Sequence, residues 1–210
     1  MAYARSKTSL LISFEGIEGS GKSTQIQLLK EYFSKKSYQV HVLREPGGTT
    51  FGEKLREAIL SSSEPIHPLA EAHLFASSRA QLIYQKILPA LQNEKTVVIM
   101  DRFIDSSLAY QGIARSLGFE AIEKLHQNEP LTIRPDFTFY LKIDVPTSFA
   151  RQKSRGNQKD YFEKEKEEFY QKLIHGFDLC HEKFPKRFRL INGNQDPKAI
   201  HEEIQGILNV

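Results

Sequence analysis

The 210-residue sequence has a single cysteine, Cys180, which excludes an intrachain disulfide and any cysteine-rich metal site. A reducing compartment suits such a chain. Its seven histidines show no H-x-x-x-H or H-E-x-x-H spacing, which argues against a zinc centre. Charge is nearly balanced: 29 Lys and Arg face 26 Asp and Glu, for a net +3. No basic run stands out, so neither a nucleic acid nor a membrane surface is expected as a partner. A small anionic ligand would account equally well for a local positive cleft. No apolar run approaches the length of a membrane span. The run behind the polar segment Met1 to Ser9 is far shorter than a signal-peptide core. Internal repeats and low-complexity linkers are also missing. Forty per cent hydrophobic residues can build a core and 26% charged residues suit a wetted surface. The expectation is one soluble, cytoplasmic α/β domain spanning 1–210.

What the sequence does have is a glycine loop. Gly16-Ile17-Glu18-Gly19-Ser20-Gly21-Lys22-Ser23 matches G-x-x-x-x-G-K-[ST] and follows the apolar run Leu10 to Phe14. Behind it Ile26, Leu29 and Phe33 recur at helical spacing. Strand, loop and helix together turn the motif into a phosphate site. Gly16, Gly19 and Gly21 let the backbone curl its N–H groups inward, and the helix adds its unpaired amides and the positive end of its dipole. In such a loop Lys22 reaches the β/γ-phosphates and the Ser23 hydroxyl ligates Mg²⁺, with Thr24 next in line.

Further along, strands and helices alternate. Gln39 to Arg44 alternates as a strand, and the Pro- and Gly-containing segment Glu45 to Thr50 is a loop. Phe51 to Leu60 is a helix, broken off by Pro65 and Pro68. A second helical stretch runs from Ala70 to about Leu91, with Pro89 kinking or ending it. Thr96 to Asp101 is near-continuously apolar, the pattern of a strand buried on both faces. Ser106 to Ser116 and Phe119 to Gln127 read as short helices, Phe137 to Ile143 as a strand and Pro146 to about Ser154 as a helix. Arg155 to Phe162 is polar and glycine-containing, a mobile-loop composition. Phe169, Leu173, Phe177, Cys180 and Phe184 form the apolar stripe of a long helix, with the Glu/Lys run 163–168 as its solvated first turns. Arg187 to Ile191 is a last strand and Ala199 to Leu208 a closing helix. This alternation predicts a parallel sheet with right-handed crossovers and a ligand at the carboxyl ends of the strands.

Charged residues cluster at those ends. Asp101 closes the most apolar strand, placed either to hold Mg²⁺ or to cap the next helix. Arg102 beside it and Arg44 at another strand end point to a second anion, which a planar guanidinium binds in pairs of oxygens. Glu15 adds an acid close by. Phe75 and Arg79 share a helix face; a ring beside a forked donor suits a nucleobase, although spacing alone favours a core Phe and a surface Arg. A GTP-dependent switch protein would carry Asn-Lys-x-Asp to read guanine, and the tetrapeptide is absent. The charged strand ends argue against a nucleotide-binding module without chemistry.

These residues give the chain a resemblance to the thymidylate kinases, which transfer a phosphoryl group from ATP to dTMP. The motifs that carry it are Glu15 to Thr24, Arg44-Glu45-Pro46-Gly47-Gly48-Thr49, Leu74-Phe75 with Arg79, Asp101-Arg102-Phe103 with Ser107, and Ala109-Tyr110-Gln111-Gly112. The resemblance implies a P-loop nucleoside monophosphate kinase fold: a five-stranded parallel sheet with helices on both faces, a lid at about 151–163, and a homodimer. It implies ATP on 16–24 and Mg²⁺ near Ser23 and Asp101. It places thymine on Phe75, with Arg79 and Ser107 at its edge and Gln111 nearby. The dTMP phosphate falls on Arg44 and Arg102, and Tyr110 lies under the sugar, disfavouring a 2′-hydroxyl. Glu15 and Asp101 organise metal and acceptor. Many bacterial members carry Asp-Arg in the lid; here Asp160-Tyr161 follows Lys159. The lid arginines are then Arg151, expected on the adenine face, and Arg155, expected at the transferring phosphate. Lys22, Glu15, Arg102 and Arg155 are the expected catalytic set. The nearest alternative is a kinase for another nucleoside monophosphate.

Overall fold

The computed structural model describes residues 5–155, 161–162 and 165–209. Among them five strands form one wholly parallel sheet: β1 (Leu10–Glu15), β2 (Gln39–Arg44), β3 (Thr96–Asp101), β4 (Phe137–Lys142) and β5 (Phe188–Asn192), in the order β2-β3-β1-β4-β5. The helices are α1 (Lys22–Lys35), α2 (Thr50–Leu60), α3 (Pro68–Leu82), α4 (Leu88–Leu91), α5 (Ile104–Ser107), α6 (Phe119–Leu125), α7 (Val145–Arg155), α8 (Glu167–Lys183) and α9 (Pro197–Leu208). Two wider, π-helical segments join them, Ile83–Ile87 and Leu108–Ala114.

The central strands β1, β3 and β4 are buried on both faces, and the period of two along each strand sorts the core into halves. Ile12, Phe14, Val97, Ile99, Phe139 and Leu141 pack with Ile26, Leu29 and Phe33 of α1 and Ile200, Ile204 and Leu208 of α9. Leu11, Val98, Met100 and Tyr140 point the other way, into a core completed by α3, α8 and the π segments. The apolar runs in the sequence are therefore two interleaved faces.

Three helix expectations change. The long helix starts at Pro68, a residue favoured in the first turn because its missing N–H is unpaired there in any case. It does not end at Pro89. Proline cannot donate to the carbonyl four residues back and its ring crowds that carbonyl, and the wider turn at Ile83–Ile87 comes immediately before it. Finally, α8 begins only at Glu167, so its solvated first turn is shorter than the Glu/Lys run, of which 163–164 lie outside the described residues.

Candidate active site

The parallel register brings the strand ends together. Phe14 lies opposite Asp101, and Arg44 lies opposite the same residue on its other side. Glu15, Arg44, Asp101 and Arg102 thus meet at the carboxyl edge, where ligands of open parallel sheets lie.

The glycine loop leaves β1 at Gly16, whose φ of 137° suits only glycine and where a Cβ would come within 2.6 Å of the Leu141 carbonyl oxygen. It enters α1 through Gly21, in the left-handed region at φ 98°. Ile17 is buried in the core, so it offers a ligand only its backbone. Lys22 folds back over the loop, its Nζ donating to the carbonyls of Gly16 (3.0 Å) and Ile17 (3.3 Å). Burial, then the neighbouring Arg102 charge, pull its pKa down to about 8 against the opposing pull of Asp101 and Glu18. Glu18, Gly19, Ser20, Gly21, Lys22, Ser23, Arg44, Asp101 and Arg102 line one strongly polar cleft. Thr24 is exposed on α1 outside it. Ser23 and Asp101 offer hard oxygens to that cleft, and no cluster of three His, Cys, Asp or Glu forms among the described residues. This donor set fits Mg²⁺, which takes one or two protein oxygens and completes its shell with phosphate and water.

A second cavity adjoins the first, and Glu18, Glu45, Arg56 and Arg102 line both. Its walls are Phe75, Leu60, Tyr110 and Phe162, with Ser106, Ser107 and Gln111 as polar points. The Phe162 ring stands 6.0 Å from Phe75 and edge-on to Tyr110 at 5.4 Å. Glu18 sits at the junction, accepting from Arg102 Nη2 (2.5 Å) and from the Tyr110 hydroxyl (3.0 Å). Burial acts to raise its pKa, but Arg102 and Lys22 outweigh that and hold it below the usual carboxylate value. The Arg102 guanidinium also lies 5.1 Å above the Tyr110 ring. Glu18, expected among the ATP residues, thus faces the second cavity as much as the first.

Other expected residues fall behind the surface. Arg79 is 1% exposed and does not line the second cavity, so it is not the surface arginine that spacing favours. Its N–H groups go to Glu45 Oε2 (2.7 Å from Nε), Ser107 Oγ (2.9 Å), His126 Nε2 (2.6 Å) and the Phe103 carbonyl (3.1 Å). Glu15 is 0% exposed and lines neither cavity; its carboxylate accepts from Phe103 N (2.8 Å), Ser106 N (3.3 Å) and Ser106 Oγ (2.6 Å). It caps the start of α5, a helix with no side-chain cap of its own, and so fixes the loop carrying Arg102 and Ser107. These contacts support a positioning part for Glu15, exerted through that loop. Gln111 is held from behind, donating to Glu71 Oε1 at 2.8 Å. Arg44 is half exposed and pairs with Glu53 at 3.0 Å.

From α7, Ser148 Oγ donates to the Glu18 carbonyl (2.6 Å), and Arg151 Nη1 donates to the carbonyls of Gly19 (3.0 Å) and Gly193 (3.2 Å). Arg155 is the last residue of that helix; its side chain, with 156–160 and 163–164 of the expected lid, lies outside the described residues. Sequence reasoning missed four contributors. Glu45 and Arg56 line both cavities, Phe162 walls the second, and Arg115 reaches Glu165 at 2.6 Å while lying 4.7 Å above the Phe169 ring. Glu45 had a signal, an acid beside the strand-end Arg44, and Phe162 another, an aromatic ending a polar loop.

The family model described as thymidylate kinase matches residues 14–204. A thymidylate kinase of a Thermoanaerobacter species is 45% identical over 193 residues, covering 92% of this chain and 94% of its own. That of Caldanaerobacter subterraneus subsp. tengcongensis is 46% identical, with 92% of this chain and 91% of its own covered. Among solved structures, the crystal structure of thymidylate kinase from Ehrlichia chaffeensis superposes with a TM-score of 0.76 at 33% identity, covering 95% of this chain and 98% of that one.

Proposed function

Because this chain belongs to the thymidylate kinase family, we propose that its polar cleft holds the phosphates of ATP, that the adjoining cavity holds dTMP, and that transfer takes place where they meet. The reaction moves the γ-phosphoryl group of ATP to dTMP, giving dTDP and ADP, a step of dTTP biosynthesis. The observation that carries the assignment of sites is the junction itself. Glu18, Glu45, Arg56 and Arg102 belong to both cavities, one lined by the glycine loop and the other walled by aromatic rings.

The chemistry needs no covalent intermediate. An oxygen of the dTMP phosphate bonds to the γ-phosphorus as the bond to the ADP oxygen breaks in line with it. The enzyme's part is to bring the two phosphates together and to compensate charge as it spreads. Lys22 and the loop amides meet the β/γ oxygens; Arg44 and Arg102 hold the acceptor phosphate. Phe75 and Phe162 enclose the base, with Ser107 and Gln111 at its edge and Tyr110 beneath the sugar. Ser23 and Asp101 would hold Mg²⁺, which would supply charge neutralisation for the phosphates. Arg151, already on the glycine loop and the Gly193 turn, stands toward the adenine side, and Arg155 is assigned to the transferring phosphate.

The chain is read as one domain with a lid at about 151–163. A cytoplasmic location is proposed from the ATP and dTMP substrates assigned above; no helix among the described residues is long and apolar enough to cross a membrane. Phe51, Leu69 and Tyr84 stay exposed on α2, α3 and the π segment after α3, which supports a homodimer through these helices; a single-chain mass by light scattering would contradict it. The acceptor assignment is tested by coupled ADP release over a panel of nucleoside monophosphates. dTMP is expected to exceed the purine nucleotides in kcat/KM by at least about 10²-fold, since a site built around hydrogen-bonded groups rejects misfits strongly. Equal rates across the panel would overturn it.

A further inference from the structure

Behind the second cavity lies a chain of buried groups reaching from Ser107 to α6. Ser107 Oγ lines the cavity and accepts from Arg79 Nη1 at 2.9 Å. Because that oxygen accepts from Arg79 and its hydroxyl has no acceptor among the described residues, its own proton is left for the cavity. The same Nη1 contacts His126 Nε2 at 2.6 Å. Arginine only donates, so Nε2 must be the acceptor and the ring proton must sit on Nδ1, which donates to the Ile122 carbonyl at 2.8 Å. His126 is 1% exposed, and nothing in the phosphoryl-transfer chemistry uses it. Burial, then the Arg79 charge, lower its pKa to about 3, so the neutral ring that this geometry needs is the form present.

We infer that His126 is a positioning residue for base recognition: as an acceptor it fixes Arg79, and Arg79 in turn fixes Ser107 as a donor toward a carbonyl oxygen of the pyrimidine. The inference rests on the acceptor cavity assigned above. Each bond in the series Ile122 carbonyl, His126, Arg79, Ser107 has only one possible direction, because a carbonyl only accepts and a guanidinium only donates. A cavity closed by such a series presents a donor. It therefore favours an oxo group over the amino group that cytosine carries in the same place. Glu45 holds the other side of Arg79 through Oε2.

The test measures kcat and KM for dTMP and dCMP, and KM for ATP, in wild type, His126→Phe and His126→Gln, with thermal melting of each. Phenylalanine removes the acceptor and keeps the bulk; glutamine restores an acceptor near the Nε2 position. Losing one hydrogen bond to a charged partner corresponds to about tenfold. The ratio of kcat/KM for dTMP over dCMP is expected to fall about tenfold in His126→Phe, through KM for dTMP, with KM for ATP unchanged. Glutamine should return the ratio to within about threefold of wild type. A lower melting temperature with an unchanged ratio in His126→Phe makes His126 structural only and overturns the inference, as does a ratio in His126→Gln no better than that of His126→Phe. If His126→Phe does not fold, the ratio in His126→Gln decides alone: a value below about a third of wild type overturns it. Ser107→Ala and Arg79→Ala separate the underlying reading. If neither changes the ratio, the cavity assignment falls; if they do and His126→Phe does not, only the inference about His126 falls.

Discussion

Glu15 ends β1 with its carboxylate sealed from solvent, held by two backbone amides and one hydroxyl from the turn after β3. Burial, then the charge of Asp105, raise its pKa above the ordinary 4.5, against the weaker pull of Arg102, Ser106 and Phe103. A carboxyl whose pKa is raised on folding binds more protons folded than unfolded. Its contribution to stability is therefore complete below pH 4.5 and is lost as the pH rises through the folded value. Glutamine reproduces the protonated form, accepting the two amides and donating to Ser106. Glu15→Gln is expected to melt within a few degrees of wild type at neutral pH and to lose less stability than wild type as the pH rises. Glu15→Ala orphans the buried amide of Phe103, while Ser106 N keeps its bond to the Phe103 carbonyl, and is expected to cost about 1–3 kcal/mol by denaturant unfolding. Equal losses in the two variants would contradict the capping role. Glu15 shows how far sequence reading goes at one position. An acid at a strand end near a phosphate loop was legible; that it turns toward α5 was not, because its partners lie 88 and 91 residues away. Arg79 is the same case, since its spacing reads as a surface residue until Glu45 and His126 converge on it from other elements.

At the level of elements, the apolar runs of β1, β3 and β4 and the helical periods of α1 and α8 were legible because burial imposes its period on local sequence. Strand order was not, because a strand buried on both faces carries no mark of its neighbours. The π segment before Pro89 was legible only as a disturbance, since the same proline permits either a kink or an end. The segment around the lid joins both cases. Its polar composition was plain, whereas the docking of Phe162 and Tyr161 against Arg115, whose guanidinium lies 5.7 and 5.5 Å from their rings, depends on a residue 46 positions earlier. On the other flank, α7 carries Arg151, anchored on two carbonyls, and Arg155, one helical turn further on. The glycine loop has no arginine at Ile17, Glu18 or Ser20, so the charge for the transferring group is assigned to α7. Arg155→Ala is expected to lower kcat by about 10³-fold or more with little change in KM for ATP, as for arginines that act in the transition state. Arg151→Ala is expected mainly to raise KM for ATP. Steady-state kinetics of both, with melting curves, decides; kcat lost in Arg151→Ala and kept in Arg155→Ala would exchange the roles.

Across the whole molecule, five parallel strands point their carboxyl ends the same way, toward two cavities that share Glu18, Glu45, Arg56 and Arg102. The P-loop cleft is supplied mainly by residues next to one another in sequence, which is why it was legible from a single motif. The acceptor cavity gathers Glu45, Phe75, Ser107, Tyr110 and Phe162 from five places in the chain, and only some of these stood out before the fold was known. On the proposed assignment, a phosphoryl group passes directly between the two cavities and is not released to water. The most direct measurement follows the label from [γ-³²P]ATP in the presence of dTMP and Mg²⁺. Direct transfer predicts one labelled dTDP for each ADP formed, with almost no labelled free phosphate, and loss of that transfer in Lys22→Met by roughly 10²–10³-fold. Label appearing mainly as free phosphate, or dTDP formed at an undiminished rate by folded Lys22→Met, would contradict it.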